Sequence, residues 1–200
     1  MLASTALDPR TALALVHALA WLAFAGYWLW SARHLKSTRR SERPWTQLLA
    51  YWLPLLVAVW LLGPGAWFEA SGSGARFIPG SIWISATGVA LTWAGVALAL
   101  WSRRILGSNW SSVVQVKQDH ELIQQGPYRR IRHPIYTGLL LAFAGTALMI
   151  GEWRGVLALV IVFASFWRKL RLEERWLGEQ FGKQYADYRR RTKALIPGLF

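Results

Sequence analysis

The chain of 200 residues has no cysteine and only four histidines, and both facts narrow the chemistry open to it. Without cysteine there is no disulfide framework, no thiolate nucleophile and no cysteine-based metal site. The histidines do not replace such a site, because no two of them lie four residues apart as in a helical zinc site. We therefore expect no metal.

Acidic residues are also few, with 10 Asp and Glu against 23 Lys and Arg, for a net charge of +13. Such an excess of positive charge is compatible with nucleic-acid binding. Its distribution indicates another cause, since alternate segments between apolar blocks hold 20 of the 23 basic residues and the remaining segments hold 3. This alternation is the positive-inside pattern of membrane proteins. It predicts an N-terminus outside, a C-terminus and basic segments in the cytoplasm, and no nucleic-acid partner.

Apolar residues are abundant, at 54% of the chain with 14 Trp, and they are clustered. A membrane span needs about 20 mostly apolar residues. Five blocks meet or approach that length: Thr11 to Trp30, Leu48 to Gly63, Ile82 to Trp101, Tyr136 to Ile150 and Gly155 to Trp167. The first block is too long for a signal peptide, so we expect it to be retained. The pattern predicts an all-α integral membrane protein with about five transmembrane helices, the last two forming a helical hairpin.

The densest polar stretch, GPYRRIRHPIYTG, runs directly into the fourth block. Pro134 disfavours helical geometry at His133, so a helix should begin near Pro134. The N-terminus of a helix attracts anions, and three arginines surround this one: Arg129, Arg130 and Arg132. Alternatively, these arginines only contact anionic lipid headgroups. That alternative does not account for a crowd of ring side chains at the same place: Tyr128, His133 and Tyr136.

The C-terminal segment also has an unusual feature. Its pattern from Arg168 to Arg191 predicts an amphipathic helix. Glu173 and Glu174 fall close to its apolar stripe, where acidic residues are rarely found without a partner. One explanation is an ion pair within the helix, such as Lys169 with Glu173, worth only about 0.3–0.5 kcal/mol. The other is that the carboxylates serve a binding site.

Taken together, these segments resemble the isoprenylcysteine carboxyl methyltransferases, which are membrane enzymes that use S-adenosylmethionine. The resemblance covers about residues 109 to 197. It depends on the combination of an RHPxY motif with a downstream EExxL and an FGxxYxxY, in the order and spacing of that family. Any one of these motifs alone would be weak.

The resemblance implies a set of residues for S-adenosylmethionine. These are Gln115, His120, Glu121, Leu122, Ile123, Tyr128, His133, Pro134, Ile135, Tyr136, Glu173 and its neighbour Glu174. A substrate-facing arginine of the family falls here on Lys169, which lacks the bidentate fork that Arg offers to a carboxylate. Arg132 and Arg171 are near enough in sequence to take that role. We expect Arg132 to lie closest to the chemistry.

The implied function is transfer of a methyl group from S-adenosylmethionine to a lipophilic acceptor, with a prenylated cysteine carboxylate as one candidate. The acceptor should enter from the bilayer and the cofactor from the cytoplasm. Two alternatives stay open: a phospholipid amine or a thiol as acceptor, or a non-catalytic protein that binds anionic membrane lipids. We predict one domain, residues 1–200, in which residues 11–101 form three spans and residues 102–200 the cofactor-binding and catalytic part. The first two spans look like scaffold, and the sequence leaves the oligomeric state open.

Overall fold

The computed structural model describes residues 7–33, 38–68, 75–110, 115–117, 121–196 and 198 of the chain, and these are largely helical. The α-helices are α1 Pro9–Ser31, α2 Pro44–Gln47, α3 Leu53–Leu61, α4 Ile82–Leu106, α5 Pro134–Ile150, α6 Trp153–Phe181 and α7 Lys183–Arg191. Two short strands, β1 Thr38–Ser41 and β2 Gln115–Lys117, pair antiparallel with Thr38 opposite Lys117 and Ser41 opposite Gln115. The helical class is confirmed, and this small ribbon was not predicted.

Three helical segments are long and apolar enough to cross a membrane: Pro9–Ser31, Pro44–Leu61 and Ile82–Asn109. Their exposed positions carry large apolar side chains, among them Leu22, Leu56 and Trp83, as expected for surfaces that face lipid. The chain is therefore an integral membrane protein. Helix α5 is apolar but has only 17 residues, so five spans remain a prediction.

Helix α6 corrects the prediction of a fifth span followed by a separate amphipathic helix. It runs without interruption through Trp153–Phe181, because no proline or glycine stands where the apolar block ends at Trp167 and the amphipathic segment begins at Arg168. The break comes at Gly182, whose φ of +48° suits glycine. Only the last part of the predicted segment, α7, is a helix of its own.

Helices α4 and α5 approach backbone to backbone through glycines spaced seven residues apart on each helix. Gly88 lies against Gly145, and Gly95 lies against Gly138. A Cβ atom at Gly88 or Gly138 would stand only 2.6 Å from a carbonyl oxygen of the facing helix. Small residues permit such close approach within membranes, where helices associate by packing and not by a hydrophobic drive. The pair forms a rigid wall that fixes where α5 begins.

The second membrane segment contains a π-helical turn, Leu48–Trp52, between α2 and α3. Its cause is Pro54, which has no N–H to donate to the carbonyl of Ala50 and whose ring crowds that carbonyl. The Ser165 hydroxyl of α6 donates to the Ala50 carbonyl instead, at 2.7 Å. The turn therefore stays satisfied inside the membrane region, and it presents Tyr51 toward α6.

Candidate active site

A cavity of about 860 Å³ lies among the helices, with α1 packed on α4 at one side and α3 packed on α6 at the other. We call one part the polar end, lined by Tyr128, His133, Tyr136, Lys169, Glu173 and Tyr185. The other part, the apolar limb, is lined by Trp21, Phe24, Leu55, Val59, Leu139 and Phe143. The two parts are continuous, so a single cavity offers both charge and an apolar surface.

The start of α5 is fixed by the chain that follows α7. The amides of Arg132 and His133 donate to the carbonyls of Lys193 and Ala194, at 2.8 and 3.0 Å. The Thr137 hydroxyl donates to the Leu195 carbonyl at 2.7 Å. Pro134 is the first residue of the helix, as predicted. These contacts place His133 and Tyr136 at the polar end with little freedom.

His133 lies between the two carboxylates of α6. Its Nδ1 is 3.5 Å from Glu173 Oε2, and its Nε2 is 3.4 Å from Glu174 Oε1. The Tyr136 hydroxyl donates to Glu173 at 2.6 Å, and Arg132 Nε donates to Glu174 at 2.7 Å. The carboxylates that the sequence places near the apolar stripe thus find partners at the start of α5.

This network shifts the ionisation of its members, which lie beyond the apolar part of α6. Burial raises the pKa of Glu174, but His133 and Arg132 outweigh burial and lower it to about 2. The pKa of Glu173 is also lowered, against its burial, chiefly by His133. Burial lowers the pKa of His133, yet the two carboxylates raise it above its ordinary value. A protonated His133 between two carboxylates is the state that these shifts favour.

Lys169 occupies the junction of the polar end and the apolar limb. It is buried, and its Nζ lies 5.5 Å from the centre of the Tyr51 ring and 5.4 Å from that of Tyr136. The Tyr136 ring stacks on Phe166 at 4.9 Å. Burial lowers the pKa of the Lys169 ammonium, while the Glu173 carboxylate opposes this shift and the two aromatic faces favour the charged form. Lys169 therefore places an ionisable amine at the point where the apolar limb begins.

The buried Tyr185 hydroxyl at the polar end has no hydrogen-bond partner within the described ranges, and His133 Nε2 faces Glu174 Oε1 at 3.4 Å without a hydrogen bond of good geometry. The amides of Ile135 and Tyr136, in the first turn of α5, also find no acceptor among those residues. Buried polar groups are normally paired. This arrangement of donors beside a carboxylate fits a ligand with anionic and cationic or hydroxyl groups, as S-adenosylmethionine has.

Most of the residues predicted from the sequence meet at this cavity. Those that line it are Glu121, Leu122, Ile123, Tyr128, Arg132, His133, Ile135, Tyr136, Lys169 and Glu173. Glu174 supports the site as the partner of Arg132 and His133. Arg171 is exposed and does not line the cavity. Gln115 lies in β2 without a described side chain, and His120 lies outside the described residues.

Arg132 is engaged more fully than the sequence suggests. Besides Glu174, it donates through Nη1 to the Thr192 carbonyl at 2.5 Å. Its guanidinium therefore connects α6 with the segment after α7 as well as lining the cavity. This geometry favours a role in holding Glu174 and the C-terminal segment in place.

Several residues that line the cavity were not predicted from the sequence, and the interpretation of the first two spans as scaffold leaves out the side chains that they contribute to it. Both spans line the cavity, α1 with His17 and Trp21 and the second segment with Tyr51. Tyr185 lines it from α7. The intramembrane histidine and the proline inside the second apolar block were available signals.

Comparison with known proteins places this geometry in a family. The family model for phospholipid methyltransferases matches residues 83–184, a little over half of the chain. Protein-S-isoprenylcysteine O-methyltransferase B of Arabidopsis thaliana is 29% identical over 118 residues, covering 58% of this chain and 60% of its own length. The mouse protein-S-isoprenylcysteine O-methyltransferase is 33% identical over 118 residues, with 58% and 42% covered.

A relative with a different name is also similar. The cobalt-zinc-cadmium resistance protein CzcN of Cupriavidus metallidurans is 31% identical over 119 residues, covering 58% of this chain and 52% of its own. The matches thus span about 40 to 60% of the length of these curated relatives.

The fold has a solved counterpart, the eukaryotic intramembrane Ras methyltransferase ICMT. That structure matches with a TM-score of 0.55 and 22% identity, over 79% of this chain and 54% of the other. At this identity the likeness concerns the fold. Because the family model spans more than half of the sequence, the chain belongs to the phospholipid methyltransferase family, and five of the six residues that line the polar end of the cavity lie within that span.

Proposed function

We propose that this protein is a membrane methyltransferase that moves a methyl group from S-adenosylmethionine to a lipophilic acceptor of the isoprenylcysteine type. The observation that carries the proposal is the single cavity in which a charged polar end meets an apolar limb. A water-soluble donor and a membrane-dissolved acceptor need to meet in such a place. The names of the relatives point to the same acceptor class.

The polar end has the groups that the donor requires. Glu173 suits its ammonium or ribose hydroxyls, and the unpaired amides of Ile135 and Tyr136 suit its carboxylate. The buried rings of Tyr128 and Tyr136 suit its adenine or its sulfonium. When bound, the donor would supply an electrophilic methyl group. The protein's task is then positioning, which needs no nucleophile of its own.

Lys169 is the residue that we assign to the acceptor. Its buried ammonium at the mouth of the apolar limb would attract an acceptor carboxylate while the limb takes the lipid. A neutral amine, the form of an amine acceptor that can attack the methyl group, would gain no such attraction from the ammonium. Arg132 would act indirectly, by fixing Glu174 and the C-terminal segment. Residues 102–200 would thus carry the donor, and the first three spans would help to enclose the acceptor on the cytoplasmic side of the membrane.

The proposal is tested with the purified full chain in lipid nanodiscs. Calorimetry should show S-adenosylmethionine binding, and transfer of labelled methyl should occur to N-acetyl-S-farnesylcysteine but not to phosphatidylethanolamine. If the protein binds the donor but transfers methyl only to phosphatidylethanolamine, the acceptor is a phospholipid amine and not an isoprenylcysteine. Absence of donor binding would favour the non-catalytic alternative, in which the basic segments bind anionic lipid.

A further inference from the structure

A polar cluster closes the far end of the apolar limb, within the membrane segments. His17 Nε2 lies 2.9 Å from the hydroxyl of Thr146, and the Trp21 indole donates to the same hydroxyl at 3.1 Å. All three residues line the cavity. An ionisable residue at membrane depth is costly to maintain and commonly marks a ligand path. The methyl-transfer chemistry at the opposite end makes no use of this cluster.

The hydrogen bonds of Thr146 determine which ring nitrogen of His17 carries the proton. A hydroxyl has one proton, and Thr146 directs it to the Ala142 carbonyl at 2.9 Å, which can only accept. Its lone pairs then accept from the Trp21 N–H and from His17, so Nε2 carries the proton. Nδ1 of the neutral ring is left as an acceptor, and within the described part of the chain it has no hydrogen-bond donor. A ligand group that donates a hydrogen bond would complete it.

The distance from this cluster to the polar end follows from two helices independently. On α5 the lining residues Tyr136, Leu139, Phe143 and Thr146 form one face, and ten residues separate the first from the last. At 1.5 Å per residue this is about 15 Å. On α1 the lining face runs from Trp28, which packs against the apolar cluster that contains Tyr136, to His17, and eleven residues give about 16 Å.

From this geometry we propose that the acceptor is an apolar chain that carries a hydroxyl group about 15 Å from its reacting end, and that His17 recognises this hydroxyl. The inference rests on the proposed function only for the position of the reacting group. In the hydrocarbon region a lipid hydroxyl has no water to bond, so a preformed acceptor there favours the hydroxylated chain over the plain one. If the cluster only joined α1 to α5, the hydroxylated and the plain acceptor chains would bind with equal affinity.

The test compares two probes in calorimetry without any methyl donor: N-acetyl-S-geranylcysteine and its analogue with a hydroxyl on the terminal carbon of the geranyl chain, which lies about 15 Å from the carboxylate when extended. The wild-type protein should bind the hydroxylated probe about fivefold more tightly, the effect of one net hydrogen bond. His17→Leu should abolish this preference. Thr146→Val, which removes the bridge but keeps His17, should lower the unfolding temperature and retain the preference.

Three results would overturn the inference. The first is equal affinity of the wild type for both probes, and the second is no binding of either probe. The third is a loss of the preference in Thr146→Val as complete as in His17→Leu, which would mean that the cluster only holds the helices together. A retained preference without methyl transfer to either probe would instead overturn the proposed function and leave the recognition by His17 standing.

Discussion

Helix α5 is held by two walls that are built in opposite ways. On one side α4 and α5 touch backbone to backbone through Gly88, Gly95, Gly138 and Gly145. On the other side α1 reaches α5 through side chains, as when His17 and Trp21 bond Thr146. The first contact leaves no space for a ligand, whereas the second encloses the apolar limb.

This difference shows how a small membrane protein can hold its site residues in fixed positions and still leave a route for a ligand. The tight wall fixes α5, whose first residues hold His133 and Tyr136 at the polar end. The wall of side chains could separate without breaking backbone contacts, and we propose that a lipid enters between the helices there. Substitutions in the tight wall should therefore affect folding, and those at the polar end should affect binding.

The largest effect is expected for Gly95→Leu. A side chain at Gly95 would collide with the backbone of Gly138 and Ala142, and the helices would have to separate. We expect a loss of about 3 kcal/mol or more in the free energy of unfolding, since overpacking is not relieved by backbone atoms. The matched control is Gly26→Leu on α1, where no atom lies within 4 Å of the new Cβ. Thermal unfolding in detergent would measure both, and an equal loss in the two variants would show that the walls do not differ.

At the polar end the strongest single effect should come from Glu173→Gln. Glu173 accepts from Tyr136 and faces His133, so its negative charge is held toward the cavity. Losing a charged hydrogen-bonding group costs about 1.5–3 kcal/mol, so affinity for S-adenosylmethionine should fall tenfold or more. Glu179→Gln, on an exposed position of the same helix, should change it little. Equal affinities in calorimetry would leave Glu173 with a structural role only.

A finer distinction is offered by two neighbouring tyrosines of α7. The Tyr188 hydroxyl donates to the Tyr128 carbonyl at 2.7 Å, whereas the buried Tyr185 hydroxyl has no partner within the described ranges. Tyr188→Phe should cost about 1 kcal/mol of stability. Tyr185→Phe should leave the unfolding temperature unchanged but weaken S-adenosylmethionine binding about fivefold, because the ligand would be its partner. If Tyr185→Phe loses stability and keeps affinity, the hydroxyl does not face the donor.

Local rules explain which parts of this architecture could be predicted from the sequence. Proline chemistry placed the start of α5 at Pro134, and helical periodicity placed Glu173 beside an apolar face. Both features depend on residues close together in the chain. The family resemblance predicted that these motifs share one site, and residues of both motifs line the same cavity.

Features that depend on contacts between distant residues were missed. His17 and Thr146 lie 129 positions apart, and no periodicity predicts that they meet. The glycines at seven-residue spacing were a readable signal for a helix interface, but they do not name the partner helix. The unpaired state of Tyr185 is invisible in the sequence, since it depends on what surrounds the hydroxyl.

A change of pH should separate the ionic polar end from the glycine wall. The Glu174 carboxylate, held by Arg132 and His133, has its pKa lowered from an ordinary 4.5 to about 2. A lowered pKa means that its stabilising contribution is fully present above about pH 4.5 and is lost as the pH falls toward 2. The unfolding temperature of the wild type should therefore exceed that of Glu174→Gln at pH 6, and the two should converge over this range. Because His133 contacts both carboxylates, the difference reports the whole contribution of Glu174, including its effect on His133 and Glu173. The Gly26→Leu variant, which leaves the carboxylates intact, should follow the wild-type pH profile. If the difference in unfolding temperature between the wild type and Glu174→Gln stays constant down to pH 2, Glu174 contributes by its shape and not by its charge.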